Sequence, residues 1–283
     1  MTPEAPRAPT RASSVTWKLH SEMVLLAGWG RAILLQLAHP LVARGVAEHS
    51  AFLAERWGRL ARLHRTLSAM LTLTFGTPEQ VERVARTIRG IHDRVHGEIM
   101  APEGGLPEAT RYTAHDPMLL AWVHATLVDS FLLTYELFVA PLTVAERDRY
   151  CVESAAIEPL LGIPQGLLPR RVDELRAYID SMLASGQIAV TDTARLLARE
   201  VVNPPAFLIG RPLFALLRLP TVGLLPPAIR REYGLVWAQR HDRALGILSA
   251  TARRLIPLLP SLVRHWPVAR AAVARARRAQ QAC

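Results

Sequence analysis

The chain has 283 residues, half of them apolar, a formal net charge of +10 and two cysteines. That length buries a sizeable core in one large domain or two small ones. Cys151 and Cys283 are too few and too far apart for a disulfide framework or a thiolate metal site, which points to a reducing compartment.

Apolar runs recur at helical spacing, and no alternating Val/Ile/Thr segment is bounded by Asn-Gly or Asp-Gly turns, so the expected fold class is all-α, in a single multi-helix domain. Residues 1–14, rich in Pro, Ala, Thr and Arg, read as a disordered leader rather than a signal peptide. Residues 15–250 read as the domain itself, and 251–283 as a basic amphipathic segment packed on it or extending from it.

In chain order, 15–26 reads as a short first helix that Gly28-Trp29-Gly30 interrupts, with an apolar helix resuming over 31–38. His39-Pro40 disturbs the ladder, because proline lacks an amide donor and disfavours helix at the residue before it. The stretch 41–50 carries Arg44, Glu48 and His49 among small residues that let another backbone or a flat ligand come close. An amphipathic helix follows over 57–75, with Arg59, Arg62 and Thr66 stacked along one row. Thr77 and Pro78 read as the N-cap and first residue of the next helix.

In that helix Val81, Val84, Ile88, Ile91 and Val95 recur at steps of three and four. At 100° per residue His92 falls inside the stripe, His96 one turn later on its polar edge, and Arg89 beyond. Such an imidazole is either a core group satisfied by a backbone carbonyl or a ligand with one ring nitrogen free for a metal or haem iron. His92 and His96 have metal-ligand spacing, but Asp93 stands where zinc hydrolases place a glutamate.

After a loop over 102–110, the stretch 118–142 is the longest apolar segment. It is long enough to span a bilayer, but it contains His124, Asp129 and Glu136, which are costly there. It reads instead as the centre of the domain, with His124 and Asp129 as neighbouring buried groups. His39 and His124 are the competing histidines, either as a distal ligand or as part of a non-haem metal site. Helices follow over 144–159, 172–184 and 192–202, the last stopped by Pro204-Pro205, then over 207–219 and 226–248, and a basic end over 250–279. There is no internal repeat, phosphate loop, dinucleotide fingerprint or nucleophile elbow. Eight of the ten net charges lie after Asp242, where eight arginines and no acid occur. With a single lysine against 33 arginines, this is either a surface for anionic lipid or a solvated helix face, and no nucleic-acid partner is expected.

An ordered series of motifs resembles the family of bacterial latex-clearing proteins (rubber oxygenases) and the fungal farnesyl-chain-cleaving oxygenase of mycophenolate biosynthesis. It runs LLQLAHPLVARGVAEHS (34–50), the basic element from Arg59 to Thr66, FGT (75–77), RGIHDRVHG (89–97), the segment 116–130, PLTVAERDRY (141–150), LLGIP (160–164) and NPP (203–205). The resemblance implies an all-α fold around one non-covalent haem b, with O2 as co-substrate. It places the proximal ligand in the Arg89-x-x-His92 element, with His96 beside it. It also puts Arg62 and Thr66 at the haem and makes Glu48 the base. The absence of an export signal points away from a polymer and toward a small isoprenoid or other unsaturated, lipid-like substrate in the cytoplasm, with peripheral contact at the inner membrane face through Arg253 to Arg278. The alternative from another class is a haem-free helical protein that docks on membranes through that basic end.

Overall fold

The structure is a computed structural model and describes residues 14–49, 56–202 and 211–281, with side chains from 64 in the second stretch and from 216 in the third. Of the expected leader over 1–14 only Ser14 is described, and it is ordered, accepting from the Trp17 amide and donating to Glu153; the side chains of Arg59 and Arg62 and the Pro204-Pro205 stop lie outside the described residues. Among those described the fold is all-α, with two three-residue strands as the exception.

Two helices organise the core: α2 (Leu26–Leu37) and α6 (Pro117–Phe138). Asp116 caps α6 by accepting from the amides of Met118 and Leu119, and Pro117 sits where its missing donor is harmless. Buried residues lie on every side of α6, from Leu120 and Trp122 to Phe131 and Phe138, as expected of a central helix. It is long and apolar enough to cross a membrane, but 67% of its apolar window is buried inside the fold. Completely buried Leu34, Leu35 and Trp122 each contribute about 1.5–3 kcal/mol through burial.

The Gly28-Trp29-Gly30 stretch does not interrupt a helix, contrary to expectation: α2 runs straight through it. The break comes earlier, after α1 (Val15–His20), where the chain takes a 3-10 turn over Met23–Leu25. The glycines serve packing. A Cβ on Gly28 would stand 2.1 Å from the Thr134 hydroxyl and 2.9 Å from the Ser130 carbonyl, and one on Gly30 would stand 2.5 Å from the Thr221 hydroxyl. Their helix-propensity cost is outweighed by the close approach of α6 and of α11 (Arg211–Gly223).

His39-Pro40 does break the helix: α2 and α3 (Pro40–His49) meet at 105°. The helices α4 (Arg56–Phe75) and α5 (Pro78–His92) form a hairpin. Beyond α5, strand β1 (His96–Glu98) pairs antiparallel with β2 (Arg111–Thr113) around the expected loop. The expected 144–159 helix is three pieces: α7 (Val144–Ser154), a 3-10 turn and α8 (Glu158–Leu161). Both α9 (Val172–Ala184) and α10 (Asp192–Val202) match their expected bounds. The expected 226–248 helix divides into α12 (Pro227–Glu232) and α13 (Gln239–Leu255), because Gly234 adopts the left-handed conformation (φ 67°). The basic end is broken by its prolines into a 3-10 turn, α14 (Ser261–Arg264) and α15 (Pro267–Gln281).

The buried polar groups of α6 are paired, though not with each other as expected. Asp129 lies 2.7 Å from Arg31 of α2, whose guanidinium also donates to the Ser130 hydroxyl and the Leu224 carbonyl, each at 2.7 Å. His124 faces the Ser154 backbone and Glu158 instead, and burial pushes its pKa down to about 4.

Candidate functional site

The α4–α5 hairpin follows from local sequence. Thr77 accepts from the Gln80 amide at 3.4 Å, while the Gln80 side chain accepts from the Thr77 amide at 2.9 Å, a capping box with Pro78 in the first turn. At the other end α5 stops at His92. Asp93 caps it, the Val95 amide donates back to the His92 carbonyl at 2.9 Å, and the chain turns into β1. His96 therefore does not sit one helical turn beyond His92. It is exposed on a strand opposite Thr113, with its ring 6.5 Å from that of His49.

The apolar stripe of α5 is only partly covered. Val81, Val84 and Ile88 are half-buried, Ile91 is 47% exposed, and Ala85 is the one fully buried residue of the helix. Among the described residues, nothing outside its own stretch of helix stands within 4 Å of where a Cβ on Gly90 would lie. At the end of this face sits His92, half-buried, with its Nδ1 buried and without a hydrogen-bond partner among the described residues. A helix C-terminus favours a protonated histidine. Desolvation, and next the nearby His115, outweigh that and lower its pKa, while Asp93 opposes them. The ring is thus neutral at pH 7 and keeps a lone pair for a metal. His115 stands 6.0 Å away ring to ring and bonds Asp93 at 2.8 Å.

The other expected site residues fall into separate groups. Arg89 donates to the Leu160 carbonyl at 2.5 Å and to Glu82 at 3.3 Å, tying α5 to α8. Thr66 lies on the exposed face of α4, and Arg62 lies one turn before it on the same helix. Glu48 on α3 accepts from the Tyr112 hydroxyl, with Arg44 at 3.5 Å from its other oxygen. The His49 ring nitrogen Nε2 lies 3.2 Å from that same hydroxyl. Burial, together with the Glu48 carboxylate, raises the Tyr112 pKa, so the phenol stays protonated and donates.

Tyr112 is the residue that reading the sequence misses. It reaches Glu48 because β2 pairs with β1, which brings Gly97 opposite it. A Cβ at Gly97 would stand 2.7 Å from the Tyr112 hydroxyl, so only glycine lets the ring lie across the strand. The lone Tyr between an RGIHDRVHG motif and the α6 cap gives no signal of this. Arg44 also bonds Glu103 at 2.5 Å and lines an open cleft of about 390 Å3 with Gly104, Thr191 and Arg195.

The competing histidines are elsewhere. His39 is 5% exposed at the α2–α3 bend, its Nδ1 unpartnered and its pKa lowered to about 4 by burial. Among the described residues no three His, Cys, Asp or Glu side chains converge on a metal site.

No curated protein and no solved structure matches the chain. The family model for the ER-bound oxygenase mpaB/B'/rubber oxygenase catalytic domain matches residues 17–256, which takes in every helix from α2 to α12, the hairpin, and the Glu48–Tyr112 pair. The half-covered face of α5 and its unpartnered imidazole thus lie within an oxygenase catalytic domain, and the chain belongs to the mpaB/rubber oxygenase family.

Proposed function

We propose that the chain is a haem b-dependent oxygenase that acts with O2 on an apolar, unsaturated, isoprenoid- or lipid-like substrate. The observation that carries this reading is the pairing of a half-covered apolar face on α5 with a neutral, unpartnered His92 at its end. A soluble helix normally buries such a stripe against protein. Here the remaining area suits a flat apolar group, and the imidazole suits its iron.

Haem b, when bound, supplies the dioxygen chemistry that side chains do not. His92 would hold the iron through a ring nitrogen, and its lowered pKa leaves a lone pair available. Val84, Ile88 and Ile91 would present an apolar face to the bound group. The family resemblance assigns Arg62, whose side chain lies outside the described residues, to a haem propionate, and Thr66 would offer a hydroxyl as hydrogen-bond donor. Glu48 is the base. The Tyr112 hydroxyl occupies its Oε2, so Oε1 is the oxygen left to accept a proton, with Arg44 3.5 Å from it.

The test is spectroscopic. The purified chain supplemented with haem is expected to show a Soret band that His92→Ala abolishes and His96→Ala largely retains. Haem loss in the His96 variant alone assigns the wrong ligand. Stoichiometric zinc or manganese without iron, or a chain that stays colourless, overturns the reading in favour of another metal site or of a haem-free protein.

A further inference from the structure

The segment between α13 and α15 holds apolar side chains out into solvent, and its anchors explain why it does not collapse. On the near side Arg253 donates to the Glu136 carbonyl at 2.5 Å. On the far side the Arg264 guanidinium meets the buried Glu22 carboxylate at 2.5–2.8 Å, and the Trp266 amide donates to the Ser21 carbonyl at 3.1 Å. Ala269 and Ala272 then pack on Leu71 and Phe75, and Arg275 donates to the Phe75 carbonyl at 2.7 Å. Between these anchors Pro257 and Pro260 keep the chain from forming one helix that could lay a face on the core. Leu258, Leu262 and Val263 are left 78, 69 and 61% exposed, flanked by Leu255 at 54% and Leu259 at 42%.

The flanks are basic. Ile247, 70% exposed, shares a row of α13 with Arg240 and Arg254, each seven residues away, and Arg240, Arg243 and Arg254 are all exposed. No acidic residue follows Asp242. Arg253, Arg264 and Arg275, which composition alone would count as surface charge, are spent on internal contacts.

We infer that this ridge docks on the surface of an anionic phospholipid bilayer. Leu258, Leu262 and Val263 enter the acyl boundary, and Arg240, Arg243 and Arg254 meet the phosphates. Charge selects this occupant over a second copy of the chain, since self-association through the ridge brings Arg240, Arg243 and Arg254 of each copy against one another with Asp242 as the one acid of that helix to offset them. Each arginine at the surface contributes about fivefold in partitioning.

Sedimentation with vesicles tests it, on the full chain and without reference to oxygenase activity, so its failure is separate from failure of the cofactor reading. The expected result is binding to phosphatidylglycerol-containing vesicles and not to pure phosphatidylcholine, weakening with salt. The triple variant Leu258→Ser, Leu262→Ser, Val263→Ser is expected to bind roughly tenfold or more weakly, with unchanged helical circular dichroism. Arg243→Glu with Arg254→Glu is expected to lose the preference for anionic lipid. Three results overturn the inference: indifference of the parent chain to both vesicles, equal binding by the triple variant, or a parent dimer in solution that the triple variant loses.

Discussion

The α2–α6 core and the α4–α5 hairpin treat polar groups on apolar helices in opposite ways. On α6, Asp129 is matched by an Arg31 guanidinium that makes three contacts, and Trp122 donates to the Leu35 carbonyl at 3.2 Å. Tyr233 similarly donates to the Leu34 carbonyl at 2.7 Å. The core is closed by close approach at Gly28 and Gly30. On α5, a stripe of equal regularity is left half-bare, and its histidine has a buried nitrogen with no partner among the described residues. An unpaired buried polar group costs stability, so it persists where something other than stability selects it. His39, whose buried Nδ1 is also without a partner among the described residues, shows that an unpaired nitrogen by itself does not mark a ligand; what sets His92 apart is the half-bare stripe beside it.

The largest effect expected from breaking this contrast is at the buried ion pair. Asp129→Ala leaves the 3%-exposed Arg31 without its counter-charge and is expected to cost about 3–5 kcal/mol, read from urea midpoints. The double change Arg31→Met, Asp129→Leu is expected to cost much less, because no charge is then stranded. Equal costs for the two would mean that shape, not charge, governs the site.

A smaller effect concerns acid. Burial pushes the pKa values of His20, His39 and His124 down to about 4. His20 is held neutral between the Thr74 and Tyr150 hydroxyls, each at 2.8 Å. The unfolded chain takes up these protons near pH 6.5 and the folded chain only near 4, so the unfolded state binds more protons in that window. Their contribution is therefore complete above about pH 6.5 and is lost as pH falls toward 4, on the order of 3 kcal/mol per ring. Urea midpoints between pH 4.5 and 7 should slope accordingly, and His39→Asn should flatten the slope. A flat profile in the parent chain would show that these rings take up protons without unfolding.

The smallest stability effect is expected at the residue proposed to hold the cofactor. His92 is half-buried and makes no hydrogen bond through Nδ1, so His92→Ala without cofactor should cost under about 1 kcal/mol. A loss comparable to that of Asp129→Ala would place His92 with the structural residues and remove the contrast.

The sequence by itself determined what depends on a few neighbouring residues. The 3.6-residue periodicity specified an all-α chain, Thr77 and Pro78 set the start of α5, and α9 and α10 end where local patterning places them. The ordered motifs from 34 to 205 also identified the oxygenase family. Tertiary structure decided everything that depends on a distant partner. It carried α2 through Gly28 and Gly30, because Thr134 and Thr221 lie against them, and it paired Asp129 with Arg31 rather than His124. It ended α5 at His92 by pairing 96–98 with 111–113, which put His96 on a strand and Tyr112 on Glu48. It also turned Arg264 and Arg275 inward while leaving Leu258 and Leu262 exposed. The physical reason is range: capping and periodicity act within a turn or two of helix, whereas burial and ion-pair choice are settled only by which elements meet.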